Sequence, residues 1–262
     1  MNERIEKLVQ KTVAGQMYAY PVKTEYDRCD LFLPPIKMSA KRVCEYIRNQ
    51  EPLLVEESAF TGLLAFDGSV EGDIFTRQGH VNFGIAIKNF YNKPVDNLLT
   101  FEWQHSTGNF GKIINGGIAG VKEEIQKSIE NHKDDENALQ FLETQTDICD
   151  AVIDWAHKCS EKALALSKNV SNATYKENLE RLSRSLKNVP EKPAKSFYEA
   201  ILSLYICYGL IPDSIGLIDR YLYPFYKADI QSGVLTNEEA SEYLQELFLM
   251  LQARIHKSSD RF

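Results

Sequence analysis

Apolar positions along most of this chain recur at three- and four-residue spacing, the period of a helix with one buried face. Ile5, Leu8, Val9, Thr12 and Val13 fall on one side of Met1 to Gln16 and predict an amphipathic helix there. Tyr20 to Pro35 lacks that period and ends in Pro34-Pro35, which forbids a continuing helix. A second helix is expected over Ser39 to Asn49, with Ser39 as its N-cap and Val43, Tyr46 and Ile47 turned inward. Leu53 to Trp103 is the least helical stretch. Short strands are expected at Leu63-Leu64-Ala65-Phe66, which runs into an Asp67-Gly68 turn, and at Val81 to Ile87. Asn92-Lys93-Pro94 then breaks the chain.

From Ile113 onward the helical period dominates. Val121, Ile125 and Ile129 recur every four residues. Asp134 or Asp135 can cap a long helix from about Asn137 to Val170, with Leu139, Leu142, Ile148, Val152, Trp155, Cys159 and Leu166 on its apolar side. A helix of that length is expected to be the scaffold on which others pack. Leu179, Leu182 and Leu186 mark a further helix over Asn178 to Leu186, and Pro193 is placed to open another over Ala194 to Tyr208. Gly233 closes a helix rich in aromatic residues, and the capping box Thr236-Asn237-Glu238-Glu239 opens the last one, Glu238 to Arg254. No repeat, low-complexity segment or linker divides the chain.

Composition narrows the function. The chain has 262 residues, 44% of them hydrophobic, enough for a buried core. Its 37 acidic and 30 basic residues leave a formal charge of −7, which argues against nucleic acid as a partner, because neutralising phosphate needs a basic surface. No apolar run of about 18 residues predicts a membrane span. The five cysteines are odd in number and form no C-x-x-C pair, so a cytoplasmic protein with reduced thiols is expected.

Several local patterns imitate chemistry without supplying it. Asp67 to Asp73 starts like a calcium loop, but its twelfth position is Gln78, which lacks the bidentate carboxylate, so an acidic turn is expected. Gly116-Gly117 and Gly120 lack the G-K-[ST] of a phosphate loop and read instead as close packing at a helix start. His80, His132, His157 and His256 have no second ligand at metal spacing, and no metal site is expected.

Three longer segments carry a family resemblance. The first runs from His105-Ser106-Thr107-Gly108-Asn109-Phe110-Gly111 through Gly117-Ile118-Ala119-Gly120 to Glu124-Ile125. The second is Val189-Pro190-Glu191-Lys192-Pro193-Ala194-Lys195-Ser196-Phe197-Tyr198-Glu199-Ala200. The third is Ser214-Ile215-Gly216-Leu217-Ile218-Asp219-Arg220-Tyr221-Leu222-Tyr223-Pro224-Phe225-Tyr226, continuing to Asp229-Ile230. In this order they resemble the N-terminal half of glycyl radical enzymes of the pyruvate formate-lyase type. The chain departs from that pattern at Gln104, Gly108, Leu217 and Arg220, where the family usually has glycine, proline, arginine and glutamine. The recognisable motifs span residues 103–250 of a chain that reads throughout, 1–262, as the N-terminal part of such a domain.

The resemblance implies an α/β fold, a ten-stranded barrel wrapped in helices, of which this chain would be the predominantly helical part with a few strands. It implies a protein-based glycyl radical, installed by an activating enzyme that uses S-adenosylmethionine and an iron–sulfur cluster, and a thiyl radical on a cysteine. Both radical loops would lie beyond Phe262, which sits in what reads as a connecting loop, so no catalytic residue and no bound cofactor is expected here. His105 and Ser214 match the positions that touch substrate hydroxyls in dehydratase-like members, as an imidazole and a hydroxyl can. Tyr221, Tyr223, Phe225 and Tyr226 are expected in core and interface, because such a run chiefly buries area. The implied parent reaction is radical cleavage of a C–C, C–O or C–N bond in a small polar metabolite. Pyruvate with coenzyme A and a diol or amino alcohol are both within its range, and the full-length enzyme is expected to be a homodimer. The competing expectation is a non-catalytic helical binding or scaffold protein derived from the family.

Overall fold

The computed structural model describes residues 2–17, 32–60, 107–210 and 214–259, with the side chains of Arg42 and residues 253–259 left aside. The expected strands at 63–66 and 81–87, the acidic turn at 67–78, Cys29, His80 and His105 lie outside these residues. Eight helices are described: α1 (Glu3–Val13), α2 (Pro35–Asn49), α3 (Phe110–Asn131), α4 (Glu136–Ser167), α5 (Ala173–Leu186), α6 (Phe197–Leu210), α7 (Ile218–Ser232) and α8 (Asn237–Ser259). The only β pairing among the described residues is one parallel bridge, Thr107 to Ser214.

The long helix α4 is the scaffold its sequence predicts. Asp135 caps it, accepting from the Asn137 and Ala138 amides at 3.0 Å. Its buried stripe is largely small, with Ala151, Ala156, Cys159, Ser160, Ala163 and Ser167 around the indole of Trp155. Small side chains let neighbouring backbones come close, and α2 and α5 pack on it. Ser160 Oγ donates to the Ser183 carbonyl on α5 at 2.7 Å.

Other boundaries depart from local expectation. Helix α2 begins at Pro35, not Ser39, because a proline in the first turn lacks only an N–H that would have no helical acceptor there. Asn172 accepts from the Tyr175 amide and starts α5 at Ala173, a turn and more before Asn178. Helix α6 does not open at Pro193. Its first amide, Phe197 N–H, donates to the Asp229 carboxylate on α7 at 2.7 Å, and Ser196 Oγ accepts from Glu199 N–H. Twelve of the fourteen residues of α6 are buried, so it runs through the core with no solvated face. The predicted capping box holds: Thr236 N–H donates to Glu239 at 2.9 Å and Glu239 N–H to Thr236 Oγ1 at 3.1 Å.

The central irregularity is Gly117. Of the glycines expected to pack closely, Gly116 and Gly120 have open space where a Cβ would be; only Gly117 packs closely, and it lies inside α3 and not at its start. There the backbone turns to φ 67°, ψ 171° and the helix breaks in two. A break orphans amides at the new helix start and carbonyls at the old helix end. The loop joining α5 to α6 satisfies them. Ile118 N–H donates to the Pro190 carbonyl at 2.9 Å, Ala119 N–H to the Glu191 carbonyl at 2.8 Å, and Ala194 N–H to the Ile114 carbonyl at 2.9 Å.

A second long-range contact ties α1 to α8. Glu246, fully buried, pairs with Arg4 at 2.5 Å and accepts from Ser58 Oγ at 2.5 Å and from the Ala59 amide at 2.8 Å. Burial pushes its carboxyl above the usual carboxylate range, against the pull of Arg4 and of these donors.

Two outcomes follow from this geometry. A Cβ on residue 117 would sit 2.3 Å from the Glu191 carbonyl oxygen, whereas one on residue 116 meets nothing within 4 Å. Gly117→Ala is therefore expected to cost about 3 kcal/mol or more in urea unfolding, and Gly116→Ala to gain about 0.5–1 kcal/mol. The Glu246 carboxyl holds its proton more tightly folded than unfolded. It therefore makes the native state more stable at the acid side and less so as pH rises from 4.5, its ordinary value, through its raised one. Glu246→Gln, which mimics the protonated form, should flatten that fall in a urea titration across pH; a slope unchanged from wild type would refute the assignment.

Candidate functional site

Ser214 lies exposed at the end of the Thr107 bridge, where the first and third sequence motifs meet. Its partner Thr107 is two residues along the chain from His105, which is itself outside the described residues. The turn after Ser214 is held from several sides. Gly216 N–H donates to Ser214 Oγ at 3.2 Å. Gly216 has φ +70°, and a Cβ there would stand 2.6 Å from Thr107 Cγ2 and 2.8 Å from the Tyr221 hydroxyl. Only glycine fits both the dihedral and the space. The Tyr221 ring in turn lies 3.1 Å from where a Cβ on Gly111 would be, so α7 meets the first turn of α3 through a glycine contact. Asn109 caps that turn, accepting from the Lys112 amide at 3.2 Å.

The second motif closes the arrangement. Its loop fills the break at Gly117, and its helix α6 starts on Asp229, at the far end of the third motif. All three motifs thus touch one another. Chemically, the described part offers an exposed hydroxyl on a rigid turn, able to donate to or accept from a polar ligand group.

The thiols are quiet. Burial pushes Cys44 up to about 11 and Cys207 up to about 12, and raises Cys149 as well. Cys159 is also buried. Among the described residues, no group of His, Cys, Asp and Glu could hold a metal ion. His132 Nδ1 donates to the Ser128 carbonyl one turn back at 2.8 Å, and His157 faces Glu191 at 3.3 Å. No described helix is long and apolar enough to cross a membrane.

The aromatic run is less buried than its composition suggests. Only Leu222 of α7 is buried, Tyr221, Phe225 and Tyr226 are half-buried, and Tyr223 is 58% exposed. Two contacts had no local signal in sequence. The Arg4–Glu246 pair joins residues 242 apart, and Asp229 caps a helix that starts 32 residues earlier.

Helices in this arrangement occur in solved glycyl radical enzymes. The glycerol-bound, B12-independent glycerol dehydratase of Clostridium butyricum superposes with a TM-score of 0.74 at 19% identity, over 97% of this chain and 40% of that one. A 1,2-propanediol-dehydrating protein of Roseburia inulinivorans gives 0.73 at 22% identity, over 97% and 40%. The fold is therefore that of the glycyl radical enzymes. Residues 97–261 match the pyruvate formate lyase-like family, more than half of the chain, and the chain belongs to that family. Among curated proteins, an isethionate sulfite-lyase of Oleidesulfovibrio alaskensis is 31% identical over 175 residues, 62% of this chain and 21% of that protein. This chain therefore spans about a fifth of the length of the curated relatives it matches. The ten-stranded barrel belongs to the family; the described part is its helical portion.

The thiol environment has a direct readout. At pH 8, a thiol raised to about 11 or 12 is roughly a thousandth thiolate or less, and the thiolate is the reactive form. Iodoacetamide should alkylate Cys44 and Cys207 at least about tenfold more slowly in native than in urea-unfolded protein, followed by peptide mapping. Equal rates would refute the buried placement.

Proposed function

We infer that this chain is the N-terminal part of a glycyl radical lyase that expels a leaving group from a small polar metabolite. The observation carrying this reading is the family match over residues 97–261, with three motifs that interlock around Ser214. The similar curated proteins weigh toward elimination: isethionate sulfite-lyase, indoleacetate decarboxylase and trans-4-hydroxy-L-proline dehydratase. Acyl transfer to coenzyme A, which the family name brings with it, is the less supported reaction.

In this reading His105 and Ser214 hydrogen-bond the substrate's polar groups. The Ser214 hydroxyl stands on a turn that glycine packing keeps rigid, so substrate binding need not order it. An imidazole such as that of His105 can give or take a proton in a water-excluding site. The radical belongs to the part of the enzyme beyond this chain, and an activating enzyme using S-adenosylmethionine installs it there. The complete enzyme works as a homodimer.

Two measurements test the reading. With activating enzyme and S-adenosylmethionine under anaerobic conditions, the 262-residue chain alone should give no organic radical signal by electron paramagnetic resonance. A glycyl doublet from it would overturn the assignment. In the complete enzyme, Ser214→Ala should raise KM by up to about tenfold through a lost hydrogen bond, with no change in the urea midpoint. An unchanged KM would remove Ser214 from the site.

A further inference from the structure

Helices α7 and α8 leave an open groove of about 610 Å³ between them. Its walls are apolar, formed by Phe197, Ile218, Leu222, Tyr223, Pro224 and Phe248. Tyr223 is 58% and Phe248 55% exposed. Other exposed large hydrophobic residues, such as Val13 on α1 and Phe141 on α4, do not line the groove, and single exposed apolar side chains are ordinary for a protein surface. A continuous apolar groove is not ordinary, and it marks a contact surface. Pro224 sharpens this. Having no N–H, it cannot donate to the Arg220 carbonyl one turn back, and both residues line the groove.

We propose that this groove is the docking surface for the polypeptide that completes the catalytic domain, the segment equivalent to the remaining three fifths of the solved neighbours' chains. The proposal rests on the functional reading above. Its own argument is one of length and burial. Neighbours that match 97% of this chain devote only 40% of their residues to doing so. The rest of such a protein must bury apolar faces of its own against something. Here α7 offers an aromatic-rich helix with a single buried residue, flanked by α8 with Leu244 and Phe248 turned to the same side. Asp219 and Arg220 are the only charged residues of the lining, so the occupant must be apolar.

The test places a benzoylphenylalanine cross-linker at Tyr223, at Phe248 or, as a control on α4, at Phe141, in the tagged native protein made anaerobically in its source cells. Peptide sequencing then identifies what is captured. The expected partner peptide matches the pyruvate formate lyase-like family in the region past this chain's span, captured from positions 223 and 248. The same readout holds whether that segment is continuous with the chain or separate. Capture of a second copy through the groove, or of nothing from either position, would overturn the proposal. If the completing polypeptide co-purifies but is captured only from Phe141, the docking surface is wrong and the functional reading survives. If no such polypeptide is present, both fall. As a second measure, Phe248→Asp, a change at an exposed side chain, should lower the co-purified amount at least about tenfold (about 1.4 kcal/mol) without moving the urea midpoint. An unchanged amount would count against the groove.

Discussion

The break in α3 at Gly117 is the constraint on which the rest of the assembly depends. A helix that stops and restarts within one residue creates unpaired amides and carbonyls, here beside the buried residues Ile114, Gly117 and Ile118. Each pair made there contributes only about 0.5–1.5 kcal/mol net, but each left unmade costs about 1–3 kcal/mol. The structure therefore requires a second segment at that place, and the 189–194 loop supplies backbone groups in matching order. The contact is so close that no Cβ fits at 117. Once that loop is fixed, the start of α6 is fixed a few residues later, and α6 is the core.

From α6 the constraint passes to α7. Asp229 reaches back to the first amide of α6, and the ring of Tyr226 meets that of Phe197 edge-on at 5.8 Å. At its other end α7 presents Tyr221 to Gly111 and Gly216. The circuit thus returns to the first turn of α3, at Gly111, four residues along the chain from Thr107 and before the break at Gly117. Ser214 is held by this closed circuit of backbone contacts and not by its own hydrogen bonds, of which Gly216 N–H is the only one to its hydroxyl described. A hydroxyl placed in this way keeps its O–H and its second lone pair for a ligand.

Signals written within four residues were legible in sequence. Asp135, the Thr236–Glu239 box and the left-handed Gly233 cap are local chemistry, and each stands where the pattern put it. Boundaries set by tertiary partners were not. The proline rule places a helix start at Pro193, but that proline belongs to the loop that fills the α3 break, and α6 waits for Asp229. Close packing holds at Gly117 and fails at Gly116 and Gly120, and no local rule says that the packing partner of Gly117 is a loop more than seventy residues on. For the site, Ser214 is singled out by the resemblance alone, since an exposed serine has no distinguishing local signal. The aromatic run is expected in core and interface, and none of its four rings is buried: Tyr221, Phe225 and Tyr226 are half-buried and Tyr223 is exposed.

The Arg4–Glu246 pair bears on that same point. A buried carboxylate and guanidinium seldom add much stability over apolar residues of the same shape, because desolvation offsets their attraction. What such a pair does well is reject wrong arrangements, since either member buried alone is costly. Here it fixes α1 on α8, and through Ser58 and Ala59 it fixes the 58–60 segment as well. Phe60 then stacks on Tyr198 at 4.9 Å, with Arg181 over the rings of Tyr198 and Tyr243. Helix α8 is thereby anchored on the face that carries Glu246, while Leu244 and Phe248, two residues to either side, line the open groove. One face of α8 is locked by charge and the other left apolar and open. A helix held so firmly on one side presents a preorganised surface on the other, and a partner that docks there need not pay to order it.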